Sequence, residues 1–415
     1  MAGFRFIHCA DIHLDSPLRG LSSYPGAPVD EMRSATRRAL ENLTRLAVEE
    51  RVDFVVIAGD LYDGNWLDFQ TGLYFTSQMA RLGRAGIRVY IVRGNHDAAS
   101  VITRSLPHQD HVTTLSSKHP ESVEVDGLDV VVHGQSFAGK AVTDNLAAHY
   151  PAPVQGSFNI GLLHTALTGR PPHDNYAPCR IEQLINHGYQ YWALGHVHTR
   201  EVVYEKGPHI VFPGNLQGRT IRETGAKGAT LVTVQDGIVT ETTHRPLDVL
   251  RWAQVEVDVT NCEDQDQALA ALQAELETAL NDADGRTLAT RVRFNGVSSA
   301  HGELVRDRES LRDAVRSVAS DVSNSLWIEK VETATRPILD RAALRGRDDA
   351  IGELLSTLDD VAGDPEAGRI LLGEISPLIE KLPIELRDSL SDLKDALTEV
   401  EDMLLATLAE TGGAP

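Results

Sequence analysis

Carboxylate, imidazole and amide side chains recur at short, fixed spacings in the first half of this chain, with no thiolate among them. They form five signatures in order: Asp11-Ile-His13, Gly59-Asp60-Leu-Tyr-Asp63, Gly94-Asn95-His96-Asp97, His164 within Leu-Leu-His-Thr, and Gly195-His196-Val-His198. An Asp-x-His is common by chance, whereas Gly-Asn-His-Asp and Gly-His-x-His are rare, so the combination carries the weight. Oxygen and imidazole donors without sulfur suit a fairly hard divalent ion such as Mn²⁺, Fe²⁺ or Zn²⁺, and there are too many for one ordinary site. Two ions sharing one ligand fit better. Such ions lie ~3.5–4 Å apart, lower the pKa of a bridging water from ~15.7 toward neutrality, and neutralise a phosphate for in-line attack by the resulting hydroxide. The expected division gives Asp11, His13 and His198 to one ion, Asn95, His164 and His196 to the other, and Asp60 to both.

His96 follows a ligand but points elsewhere if Asn95 coordinates. It is then free to steady a pentavalent transition state or to protonate a leaving oxygen, typically worth ~10²–10⁴-fold. Asp97 is the expected partner that fixes its tautomer. Arg93 is a candidate phosphate contact, with a solvated charge as the plain alternative. Tyr62 and Trp66 are candidate stacking rings, although packing is the commoner use of an aromatic at a strand end. Asn215 and Arg219, in Gly214-Asn-Leu-Gln-Gly-Arg219, have the small, polar character of a substrate rim. That loop lacks the Gly-Lys-[Ser/Thr] ending of a P-loop, so any ATP dependence belongs to another chain. His8, His108, His133, His173 and His209 are expected to be surface or packed residues.

Residues so far apart can meet only if strands bring them together. Short apolar runs at 4–9, 53–58 and 87–92 alternate with helical patterns at about 30–50 and 67–82, which predicts an α/β fold with a largely parallel sheet covered on both faces. Each signature then falls at the carboxyl end of a strand, the edge where ligand-binding loops gather. Shorter strands follow, including a hairpin around Asp126-Gly127 and strands at 158–163, 189–194, 201–204, 210–212, 230–234 and 238–243. A catalytic domain is expected over 1–246. A small α+β domain follows over 247–337, with a strand at 252–259, helices at 268–280 and 304–318, and strands at 290–294 and 327–332. An acidic helical region takes 338–415.

The chain has 415 residues and a net charge of −21, of which −13 lies in 348–415, where 17 acidic residues face 4 basic ones. A general basic surface is therefore not the route to nucleic acid, and the acidity says little about the catalytic part. No apolar run approaches the ~18 residues of a membrane span. The opening residues lack the features of a secretory leader, and three scattered cysteines make neither a disulfide framework nor a zinc site, so a cytoplasmic setting is expected.

With all five signatures present, the sequence resembles the calcineurin-like metallophosphoesterase superfamily, and within it the SbcD-like DNA repair exonucleases. The run Phe6-Ile-His-Cys-Ala-Asp11-Ile-His-Leu-Asp-Ser-Pro-Leu18 and the run Tyr191-Trp-Ala-Leu-Gly-His-Val-His198 are similar to the YhaO-type branch, as is Asp349-Ala-Ile-Gly-Glu-Leu-Leu355. The resemblance implies layered β-sheets flanked by helices, a small α+β capping domain and a helical C-terminal segment. It also implies Mn²⁺-dependent cleavage of DNA, a homodimer, and an SMC-like coiled-coil ATPase bound near the C-terminal helices. The acidic tail departs from that pattern. An apolar stripe at Leu386, Leu390, Leu393 and Leu397 is the expected contact there, with packing on its own chain as the alternative.

Overall fold

The computed structural model describes residues 3–16, 29–63, 69–98, 109–168, 176–338, 344–364, 366 and 370. Trp66, His108, His173 and the 386–397 stripe lie outside them. Two compact units are present. One holds Met1–Gln254, Ala279–Thr290 and Ser325–Glu329; the other holds Val255–Thr278, Arg291–Asn324 and the chain from Lys330.

Among the described residues the first unit is built on twelve strands: β1 (Phe4–Cys9), β2 (Phe54–Ala58), β3 (Arg88–Val92), β4 (Val112–Thr114), β5 (Glu121–Glu124), β6 (Val130–Gly134), β7 (Phe158–His164), β8 (Tyr191–Gly195), β9 (Glu201–Tyr204), β10 (His209–Phe212), β11 (Gly228–Gln235) and β12 (Ile238–Pro246). They form not one sheet but two, ordered β12-β11-β1-β2-β3-β4 and β5-β6-β7-β8-β10-β9. Strands β1 to β4 run parallel, as do β6, β7, β8 and β10, while β11, β12, β5 and β9 are antiparallel additions. Every residue of β2, β7 and β8 is buried. Continuous apolar runs of this kind mark strands covered on both sides.

Alternation along each strand decides what covers which face. Phe6, Phe54, Val56 and Tyr90 of the first sheet pack on Val132, Phe158, Ile160 and Tyr191 of the second. Phe6 stacks on Phe54 at 5.0 Å and meets Tyr191 edge-on at 5.2 Å. The opposite face of the first sheet, with Ile7, Val55, Ile57 and Val89, is covered by helices α1 (Val29–Glu49) and α2 (Phe69–Arg84). Helix α1 buries Met32, Ala35, Thr36, Ala39, Leu40, Leu43, Thr44 and Ala47, one stripe at helical spacing. The second sheet turns Leu163, Trp192, Leu194 and Phe212 toward Leu146, Tyr150 and Leu184, the last from the short helix α4 (Ile181–Asn186) that follows the single turn α3 (Asn95–Ala98). The product is the layered α/β fold the sequence predicts.

A third sheet pairs β13 (Leu250–Asp258), β14 (Thr287–Val297) and β15 (Leu326–Arg336) in that order. The second unit also carries most of α5 (Gln265–Asp282), which buries Ala268, Leu272 and Leu276. The helix expected over 304–318 is instead two, α6 (His301–Arg306) and α7 (Arg308–Val322). Asp307 breaks them apart: its backbone is extended and its carboxylate accepts from the N–H groups of Glu309 and Ser310, an N-cap that competes with continuing the helix. Helix α8 (Ala350–Gly363) is capped in the same way by Asp349. Among the described residues no helix is long and apolar enough to cross a membrane.

Candidate metal centre

Asp11, Asp60, Asn95, His164 and His196 stand at or just past the carboxyl ends of β1, β2, β3, β7 and β8. The loops after β1 and β2 are tied by Asp11 N–H to Gly59 O and His13 N–H to Asp60 O, both 3.0 Å. Asp11, His13, Asp60 and His196 all have positive φ, at 50°, 45°, 51° and 102°. Non-glycine residues held there store of order 1–3 kcal/mol each, strain that gathers at working sites. Two motif glycines are steric necessities. A Cβ on Gly94 would lie 2.3 Å from Asp60 Oδ1, and one on Gly195 would lie 1.9 Å from the Ala58 carbonyl oxygen.

Among the described residues, three sets of donor atoms come within 4.8 Å of one another: Asp11, His13 and His198; His13, Asp60 and His96; and Asp60, His164 and His196. Their orientation is fixed from behind. His164 Nδ1 donates to the Ala58 carbonyl at 2.9 Å, which turns Nε2 toward Asn95 Oδ1 at 3.0 Å and Asp60 Oδ2 at 3.4 Å. Burial lowers the His164 pKa, but the Asp60 and Asp11 carboxylates and the hydrogen bonds of the ring together raise it to about 9, so positive charge is favoured between these atoms. A proton on Nε2 or a divalent cation in its place meets that demand, and oxygen and imidazole donors suit the cation. His198 Nδ1 sits 2.6 Å from Glu223 Oε1, and its Nε2 points at His13 Nε2, 3.2 Å away, and at Asp11 Oδ1, 3.9 Å away. A carboxylate behind a histidine is the usual device for presenting the other nitrogen to a metal. Asp11 accepts from the His196 N–H at 2.9 Å, and His13 Nδ1 is buried without a hydrogen-bond partner among the described residues.

His96 lies at the edge of this cluster, its side chain 34% exposed, with Nδ1 2.7 Å from Asp63 Oδ1. That hydrogen bond raises the His96 pKa and holds the Asp63 carboxyl down at about 2. Asp63, not Asp97, therefore sets its orientation. Asp97 turns back within α3 and accepts from the Tyr62 N–H at 2.9 Å and the Gly94 N–H at 3.1 Å, so it ties two loops together instead. Tyr62 is fully buried against Phe75 and presents no face for a base to stack on. Asn215 is buried too, its amide donating to Gln217 O at 2.8 Å and to Glu223 Oε2 at 3.1 Å, so it supports Glu223 rather than lining a rim. Arg219 is at the centre, its guanidinium between Asp63 and Glu223. Arg93 anchors its loop through its N–H to Ser136 Oγ at 3.0 Å. His8 packs between Tyr191 Oη and the Leu194 carbonyl, each 3.0 Å from one ring nitrogen, as expected of a core histidine.

Asp63 and Glu223 are the residues that sequence reasoning left without a role. Asp63 stands inside the Gly59–Asp63 signature and could have been found there. Nothing in spacing connects Glu223 to His198.

The sequence profile of calcineurin-like phosphoesterases matches residues 4–200, and that of the middle domain of metallophosphoesterase YhaO matches residues 252–336. Residues 4–200 thus form a calcineurin-like metallophosphoesterase domain. Metallophosphoesterase YhaO of Bacillus subtilis is 38% identical over 258 residues, 61% of this chain and 63% of that protein. The DNA double-strand break repair proteins Mre11 of Methanopyrus kandleri and Sulfurisphaera tokodaii are each 26% identical, over 53% and 58% of this chain. The matches span 63%, 50% and 62% of the lengths of these three relatives. The donor clusters agree with the divalent metals that this phosphoesterase family uses.

Proposed function

We propose that this phosphoesterase is a two-metal DNA exonuclease of the DNA-repair kind. The observation that carries the reading is the set of buried acceptors converging at His164, Asn95 and Asp60, next to a second set at Asp11, His13 and His198. In this reading Asp60 serves both positions and His196 completes the first set. Ions held by these residues, Mn²⁺ in this assignment, would when bound neutralise the phosphate and lower the pKa of a water toward neutrality. The chain's own part is positioning and proton transfer. His96, steered by Asp63, protonates the leaving oxygen from the exposed side of the cluster, while Arg93 supplies positive charge near the phosphate.

DNA as the substrate is supported by the similarity to proteins named for double-strand break repair. The division into a catalytic domain over 1–246, a capping domain over 247–337 and an acidic region over 338–415 belongs to the same proposal. So do a homodimer, a cytoplasmic setting and an SMC-like ATPase partner. Cleavage of end-labelled linear duplex, plasmid and p-nitrophenyl phosphodiester, compared across Mn²⁺, Zn²⁺ and Fe²⁺, tests it. Progressive loss of label from the linear duplex supports the reading. Activity confined to a nucleotide or a phosphoprotein replaces it with a metallophosphatase.

A further inference from the structure

We propose that Arg219 is a positioning residue that brackets the centre, holding the imidazoles of His96 and His198 together through the carboxylates of Asp63 and Glu223. The proposal rests on the phosphodiesterase reading above. The Arg219 side chain is 17% exposed, with one terminal nitrogen 3.6 Å from Asp63 Oδ2 and the other 3.3 Å from Glu223 Oε1. Asp63 in turn holds His96 Nδ1 at 2.7 Å, and Glu223 holds His198 Nδ1 at 2.6 Å. The result is a chain of alternating charge and imidazole running from one side of the cluster to the other.

Each arm is braced a second time. The Ser16 hydroxyl donates to Asp63 Oδ2 at 2.5 Å and accepts from Arg219 at 3.3 Å. The Arg219 backbone N–H donates to Glu223 Oε2 at 2.6 Å, next to the Asn215 amide at 3.1 Å. Asp63 therefore meets His96 with one oxygen and the guanidinium with the other, whereas Glu223 Oε1 takes both His198 and the guanidinium and its Oε2 takes the Arg219 backbone N–H. A guanidinium suits this place because its planar fork presents donors in two directions, which a lysine ammonium on a flexible stem does not reproduce. One cation between two carboxylates also lets both stay ionised, so both imidazoles keep their partners. Losing a partner of this kind behind a metal-ligating or reacting histidine costs ~10–100-fold in affinity or activity.

The test uses the full chain, bis(p-nitrophenyl) phosphate as substrate and Mn²⁺ alone as the titrant. Arg219→Met is expected to lower kcat by ~10–100-fold with KM little changed, and to weaken Mn²⁺ binding in calorimetry. Millimolar guanidinium, but not tetramethylammonium, should restore part of the loss. In an Asp63→Asn background the kcat effect should shrink, and in a Glu223→Gln background the Mn²⁺ effect should shrink, because partners in one network are not additive. Arg219→Lys keeps the charge without the fork and should fall between the two. If the methionine variant does not fold, the lysine variant carries the same comparisons. A rise in KM with kcat intact, or losses that multiply in both carboxylate backgrounds, overturns the proposal in favour of a direct substrate contact. The Mn²⁺ titration needs no substrate. A native protein that cleaves no phosphodiester defeats the functional reading alone, whereas unchanged Mn²⁺ affinity in Arg219→Met defeats the bracket.

Discussion

His96 is the residue on which the proposed chemistry turns, because it touches the cluster without being needed to complete either expected ligand set. Its N–H donates to Asp60 Oδ1 at 2.9 Å while its ring is held by Asp63. Replacing it with alanine is expected to lower kcat by ~10²–10⁴-fold at saturating Mn²⁺. Metal content should stay at the native level; loss of an ion along with activity would make His96 a ligand. The identity of its partner was misread for a physical reason. Asp97 is adjacent in sequence, but the single turn of α3 directs its carboxylate back to the Gly94 and Tyr62 N–H groups. Asp63 reaches the ring from the neighbouring loop. The convergence of these oxygen and imidazole donors was legible because strand ends restrict where such residues can meet. Glu223 was not, since a carboxylate 25 residues beyond His198 is joined to it only by the fold.

At the scale of elements, period and burial made most of the strands readable, while close approaches between them were not. Gly195 ends β8 against the carbonyl of Ala58, which ends β2. Gly195→Ala is therefore expected to destabilise the unit by ~1–3 kcal/mol, as overpacking does, and to displace His196. Urea unfolding reads the first effect; native stability in that variant would show that the strand ends have slack. His8, on β1, gives a pH prediction. Burial lowers its pKa from 6.5 to about 3, against a smaller opposing effect of its hydrogen bond to Leu194 O. The folded protein keeps it neutral while the unfolded chain takes up a proton below 6.5. Its contribution to stability is thus complete above that pH and is lost as pH falls from 6.5 toward 3. Melting followed over that window should show a shallower decline in His8→Gln than in the native protein. Identical slopes would mean that other groups dominate acid unfolding.

For the whole molecule, the alternating pattern announced an α/β fold but not the separation into two sheets. Nor did it announce that β11 returns after more than two hundred residues to pair with β1, Phe4 opposite Val234, and that β12 pairs in turn with β11. Long-range antiparallel pairing leaves no periodic mark in the sequence. The C-terminal region carries a separate expectation. Deleting residues 346–415 should spare cleavage of a small phosphodiester and abolish co-purification with an ATPase partner; unchanged capture of that partner would move the docking element elsewhere.

In the proposed centre two ions share Asp60, and the Mn²⁺ content per chain together with the electron paramagnetic resonance spectrum, in the native protein and in Asp60→Asn, tests this. Two ions per native chain with the spectrum of a spin-coupled pair are expected, as for ions ~3.5–4 Å apart, with loss of both coupling and occupancy in the variant. A single uncoupled ion in the native protein, or two fully retained ions in Asp60→Asn, would contradict it.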